Sequence, residues 1–214
     1  EEGCTGCHSP HQSSRPLFLY QSNRALCYMC HDDNTSGAVS IHPAVKKSCT
    51  TCHDPHVGDQ PAMLPVAGST LCYLCHQNKT EGKLSIHPVI KDGCVTCHDP
   101  HAGAAKFLLP TGGAALCLIC HEDPSDGNPF LHQPVASGKC VACHEPHATD
   151  IAKMLKEDVP QLCFTCHDDF LSGMATVHPA LENGCISCHN PHAGEQQKML
   201  SVQGADLCYQ CHEM

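Results

Sequence analysis

Cysteine placement constrains this chain more than any other feature. All 20 cysteines fall into ten C-x-x-C-H motifs: CTGCH (4–8), CYMCH (27–31), CTTCH (49–53), CYLCH (72–76), CVTCH (94–98), CLICH (117–121), CVACH (140–144), CFTCH (163–167), CISCH (185–189) and CYQCH (208–212). None is left over. First cysteines at 4, 49, 94, 140 and 185 form one series; those at 27, 72, 117, 163 and 208 form a second, always 23 residues behind. The 214 residues are therefore five copies of a two-motif unit, roughly 1–41, 42–86, 87–131, 132–177 and 178–214, read as one domain. One extra residue lies between 117 and 140, where HQPVASGKC replaces patterns such as HPVIKDGC.

The spacing has a chemical meaning. Two thiols about one turn apart can add to the two vinyl groups of one porphyrin, and the following histidine is then held against the iron. A zinc site would pair two such motifs without requiring histidine after each. A disulfide framework would not use one spacing ten times. The reading is ten haem c groups. The thioether residues are Cys4, Cys7, Cys27, Cys30, Cys49, Cys52, Cys72, Cys75, Cys94, Cys97, Cys117, Cys120, Cys140, Cys143, Cys163, Cys166, Cys185, Cys188, Cys208 and Cys211. The proximal ligands are His8, His31, His53, His76, His98, His121, His144, His167, His189 and His212.

Nine histidines lie outside these motifs: His11, His42, His56, His87, His101, His132, His147, His178 and His192. Each occupies a repeat column, as expected of distal iron ligands. Five follow the first motif as C-H-x-P-H. His56 cannot easily serve the iron held by His53, because three residues span at most about 10 Å and would have to round the macrocycle edge. Pro55 also ends any helical turn there. His56 is therefore expected on a neighbouring iron, and likewise His11, His101, His147 and His192. The His42 column could serve the second motif of its own unit or the first of the next. Ten irons and nine distal histidines leave one ligand missing. The opening EEGC matches ENGC in HPALENGC (178–185), which places the missing ligand beyond a terminus or on another chain, unless one iron is open. Met63, Met154 and Met199 share a column with Phe18 and Leu108, so it is read as packing. Leu19, Leu64, Leu109, Leu155 and Leu200, and the leucines before each second motif, are read as sealing haem edges.

Composition agrees. There is no Trp, aromatic residues are 4%, and much of the 41% apolar content is cysteine, so haem must supply the core. The expected fold class is mostly irregular coil with short α-helices and almost no sheet, an elongated linear array. Gly and Pro, 16 of each, suit tight turns. A net charge of −10 argues against nucleic acid and anionic membranes. No run reaches the roughly 20 apolar residues of a membrane helix. No signal peptide precedes Glu1, which is read as the start of a processed or trimmed chain.

The recurrent C-x-x-C-H-x-P-H followed by Leu-C-x-x-C-H resembles the doubled C-x-x-C-H multihaem cytochromes over the whole chain. It is similar to decahaem conduits of porin–cytochrome complexes and to extracellular cytochrome filament subunits. That resemblance implies export beyond the cytoplasmic membrane, to the periplasm, outer membrane or cell exterior. It implies electron transfer without catalysis, with redox proteins or mineral and metal acceptors as partners, and either a porin or self-association as its setting. A multihaem reductase with one open iron and a soluble periplasmic shuttle are the rivals. No C-x-x-C-K motif or separate catalytic cluster supports the reductase.

Overall fold

The computed structural model describes residues 3–213. Short elements dominate it. The longest helices have five residues, among them Asn23–Cys27, Pro43–Lys47 and Ser69–Tyr73. Strands have two residues and form three antiparallel ladders: Ser40–Ile41 with Ala102–Gly103, Ser85–Ile86 with Ala148–Thr149, and Phe130–Leu131 with Ala193–Gly194. Mostly coil, short helices and little sheet is the class expected from the motif density.

Ladder partners lie two repeats apart, so the repeats interleave. The backbone gathers into two compact units, 1–78 with 89–112 and 79–88 with 113–214. Residues 79–88 join the second unit because Ser85–Ile86 pairs with Ala148–Thr149 and Lys83 Nζ lies 2.7 Å from Asp150.

Side chains build almost no core. Among the described residues, the buried apolar ones are Ala102, Ala148 and Ala193. The polypeptide exposes 15464 Å², against about 9,600 Å² for a close-packed chain of this mass. Exposed large apolar residues include those inside the motifs: Met29, Leu74, Val95, Ile119, Val141 and Ile186. Both leucine columns are half-buried, at Leu19, Leu64, Leu109, Leu155 and Leu200 and at Leu26, Leu71, Leu116, Leu162 and Leu207. Apolar side chains arranged around the motifs but not against one another need a large apolar group to cover.

After each first motif the chain reverses through two consecutive left-handed residues: Leu17–Phe18, Ala62–Met63, Phe107–Leu108, Lys153–Met154 and Lys198–Met199, with φ between 55 and 62°. None is glycine. Each costs about 1–2 kcal/mol in this region, so the turn is held by what surrounds it. One restraint is shared by all five repeats. The amide after the proximal histidine donates to the carbonyl of the second left-handed residue, as from Ser9 to Phe18 (2.7 Å) and Asp54 to Met63 (2.8 Å). The Met/Phe/Leu column thus contributes through its backbone; Phe18 and Met63 side chains are exposed.

A second column tunes the width of this loop. At Gly103 an added Cβ would sit 2.5 Å from the Leu108 carbonyl carbon, and there Ala105 N–H donates directly to Leu109 O (2.9 Å). Ser13 and Thr149 occupy the same position in other repeats. Their hydroxyls bridge instead: Thr149 Oγ1 accepts from Ile151 N–H and donates to Leu155 O, and Ser13 Oγ does the same between Arg15 and Leu19.

Candidate haem sites

All ten C-x-x-C-H motifs form one helical turn. In each, the histidine amide donates to the carbonyl of the first cysteine at 2.9–3.1 Å, from His8 to Cys4 through His212 to Cys208. First motifs make this turn as a 3₁₀ segment such as Cys49–Thr51; second motifs make it at the end of an α-helix such as Ala114–Cys117. Both thiols and the imidazole are thereby presented from one turn. All twenty cysteines are free of disulfides.

The histidine rings meet in pairs. Among first motifs, His8 faces His56, His53 faces His101, and His144 faces His192, with centroids 6.1, 6.0 and 6.0 Å apart. Among second motifs, His76 faces His42, His121 faces His87, His167 faces His132, and His212 faces His178, at 5.9–6.1 Å. The spacing is constant while the interplanar angle runs from 13 to 68°. Rings in direct contact would settle at different separations when stacked and when edge-on. A shared central atom explains the constancy. Metal–imidazole bonds of about 2 Å on both sides put the two ring centres about 6 Å apart, so the residues fit an iron with two axial histidines.

The pairing follows a register. His56 lies opposite the first motif of the preceding repeat, away from its own His53. His42 lies opposite His76, the second motif of its own unit as bounded above (42–86), one of the two positions the sequence left open. His98 and His147 belong to different units. His11, His31 and His189 face no other histidine ring among the described residues. Two motif histidines, His31 and His189, and one distal candidate, His11, are thus without a facing histidine ring among the described residues.

Hydrogen bonds orient the rings. In every first motif the Nδ1–H donates to the carbonyl of the first left-handed residue: His8 to Leu17 (2.6 Å), His53 to Ala62 (2.7 Å), His98 to Phe107 (2.8 Å), His144 to Lys153 (3.0 Å) and His189 to Lys198 (2.8 Å). This holds the proton on Nδ1 and leaves the Nε2 lone pair for metal. The strained turn is thus the outer support of the proximal ligand. Sequence reading missed it, although the invariant nine-residue step from histidine to that turn was visible.

The x-P-H histidines are aimed by the residue before the proline. Asp54, Asp99 and Asn190 accept the amide N–H of His56, His101 and His192 at 2.8–3.0 Å, and Glu145 accepts that of His147 at 3.4 Å. This side-chain turn carries the ring away from its own motif. Glu145 also lies 3.2 Å from His147 Nδ1. The His42 column is aimed by the ladders: His42, His87 and His132 amides donate to the carbonyls of His101, His147 and His192 at 2.9–3.0 Å. Burial, then the facing and neighbouring histidines, lowers the pKa of His42, His87 and His192. That favours the neutral, metal-binding ring.

Successive motifs also approach each other through cysteine. Burial and then a hydrogen bond with Cys49 raise the Cys27 pKa. Burial and then Cys94 raise that of Cys72, and burial and then Cys185 raise that of Cys163 to about 11. Cys52 and Cys143 are raised by burial, then by Cys75 and Cys166. Haems attached here would be neighbours in chain order. Among the described residues no group of three or more His, Cys, Asp or Glu is arranged to hold a metal ion unaided, as a zinc site requires.

Among curated proteins none matched the chain. The family model of the doubled CXXCH motif matches it five times, at residues 1–36, 42–81, 87–126, 132–171 and 178–214. With the motif turns, the paired rings and the five-fold repeat, these matches show that the chain belongs to the doubled CXXCH family and is a multihaem c-type cytochrome.

Proposed function

We propose that the protein carries ten haem c groups and conducts electrons along them without catalysing a reaction. The equal 5.9–6.1 Å spacing of seven histidine pairs is the observation that carries this reading. An iron ligated by two histidines exchanges electrons and has no coordination position for substrate. The cysteine contacts between consecutive motifs support a relay in chain order, with the protein supplying spacing, orientation and tuning of potential. The −10 charge suits cationic protein patches and mineral or metal acceptors. Covalent haem attachment supports export to the periplasm, outer membrane or cell exterior. No helix of the described residues is long and apolar enough to cross a membrane.

The unpaired rings bear on the setting. In the register that places His192 of the fifth repeat on His144 of the fourth, His189 takes a histidine from a further repeat, and His11 is such a histidine. A histidine from beyond the fifth repeat, or His11 of another copy through self-association, would complete this register at His189. His31 and His189 also support the second reading, a reductase with an open iron. Low-temperature EPR of the oxidised protein, with intact mass for haem count, tests both readings. Ten haems with at least seven low-spin signals are expected. High-spin signals at most sites would overturn the conduit. A residual high-spin signal that substrate shifts supports the reductase; one that chain association removes supports the shared ligand.

A further inference from the structure

The residue x of the five C-H-x-P-H stretches is Ser9, Asp54, Asp99, Glu145 and Asn190. The two aspartates use one oxygen on the backbone. Asp54 Oδ1 accepts from the amides of His56 and Val57 at 2.9 and 3.3 Å, and Asp99 Oδ1 from those of His101 and Ala102 at 2.8 and 3.2 Å. That keeps the carboxylate off the ring. The same oxygen lies 3.9 Å from His56 Nδ1 and 3.7 Å from His101 Nδ1, too far for a hydrogen bond. Glutamate is one methylene longer. Glu145 Oε1 is 3.4 Å from the His147 amide nitrogen but 3.2 Å from His147 Nδ1. The acceptor has moved from the backbone towards the ring.

The direction of this contact is fixed by chemistry. An imidazole that gives its Nε2 lone pair to iron carries its proton on Nδ1. A carboxylate only accepts. The Nδ1–H of His147 therefore donates to Glu145, in a charge-assisted hydrogen bond. The proton is drawn towards the carboxylate, the ring becomes more basic, and ferric iron is favoured over ferrous. Solvent screens this contact less than it would at the other repeats: Glu145 is half-buried, whereas Asp54, Asp99 and Asn190 are exposed. Lys79 and Lys83 line the cavity beside Glu145 and His147, and Lys83 Nζ lies 2.7 Å from Asp150. Two cations and two carboxylates balance there, so the hydrogen bond, not net charge, sets the site apart.

We infer that Glu145 is a positioning residue that lowers the reduction potential of the iron ligated by His147, through a hydrogen bond from His147 Nδ1–H that His56 and His101 do not make to Asp54 and Asp99. Outer partners of ligating histidines typically matter by about 10–100-fold in metal binding. At the lower end, the ferric-to-ferrous ratio at a given potential changes about tenfold, or about 59 mV for one electron. One methylene thereby makes one haem of the row a weaker electron acceptor.

The inference rests on the reading of His147 as an axial ligand, and the test separates the two. Spectropotentiometric titrations of the wild-type holoprotein, Glu145→Gln and Glu145→Asp are compared, with haem count by mass and spin state by EPR. Glutamine keeps a neutral acceptor; aspartate keeps the charge but draws it back from the ring. Both are expected to raise the midpoint of one haem by about tenfold in that ratio, with the others unmoved. The reverse variant, Asp99→Glu, gives His101 the longer carboxylate and is expected to lower the midpoint of one haem; it decides the matter if a Glu145 variant loses a haem. Unchanged midpoints with all haems low-spin overturn the inference alone. A shift with glutamine but not with aspartate assigns the effect to charge through space and overturns the hydrogen bond. A wild-type spectrum dominated by high-spin iron overturns the underlying reading.

Discussion

The left-handed turn behind each first motif should respond in opposite directions to glycine and proline, and Lys153 is the place to test it. Its side chain is exposed, its φ is 57°, and its carbonyl takes the Nδ1–H of His144. Lys153→Gly keeps that carbonyl and removes the clash of Cβ. Relief of about 1–2 kcal/mol, less the roughly 0.5–1 kcal/mol of extra backbone entropy that glycine loses, leaves a gain of about 0.5–1 kcal/mol. For a chain of this length that raises the unfolding midpoint by about 1–4 °C. Lys153→Pro forces φ to about −65° and re-aims the carbonyl. The His144 bond at 3.0 Å and the neighbouring Glu145 N–H to Met154 O bond at 2.7 Å cannot both survive. Destabilisation of about 3 kcal/mol is expected. The imidazole, having lost its acceptor, becomes a poorer donor to iron. A lost hydrogen bond of about 1 kcal/mol corresponds to a rise of about 40 mV in the potential of that haem. Thermal unfolding and a spectropotentiometric titration of the holoproteins measure both effects. A glycine variant that melts lower, or a proline variant with unchanged midpoint and potentials, would refute the claim that this strained turn supports the proximal histidine.

Other residues give further tests. His101→Ala should leave the haem on Cys49 and Cys52 high-spin, and not the haem on Cys94 and Cys97; EPR combined with removal of either cysteine pair identifies which. Gly103→Ala should cost about 1–3 kcal/mol in thermal unfolding, because its Cβ would lie 2.5 Å from backbone at Leu108. The Asp54 pKa is lowered by the amide N–H groups of His56 and Val57. Its contribution is therefore present above the ordinary carboxylate pKa and is lost as pH falls through the lower folded value. Asp54→Asn should keep the turn and flatten that part of the acid-stability profile.

Much of the site was legible in the sequence because its chemistry is local. Two thiols and a histidine share one turn, so C-x-x-C-H names its own function, and ten copies with no stray cysteine name it ten times. The thin apolar composition, with cysteine making up much of it, implied a core supplied by cofactor, and the described residues bury only three alanines as apolar core. Proline after the proximal histidine signalled that His56 leaves its own motif. The partner could not be read, because it depends on how repeats interleave. Ladders such as Ser40–Ile41 with Ala102–Gly103 join segments two repeats apart, an offset invisible in a list of equal periods, and of the two positions left open for His42 the fold brings it to His76. The left-handed pair was hidden for another reason: its residues vary from Leu to Lys, and only their backbone carbonyls are used. Gln133 shows the division most clearly. The insertion was plain in the sequence. What the His132 ring meets needed the tertiary structure, because only there does the Pro191 carbonyl come within hydrogen-bond reach of its Nδ1–H.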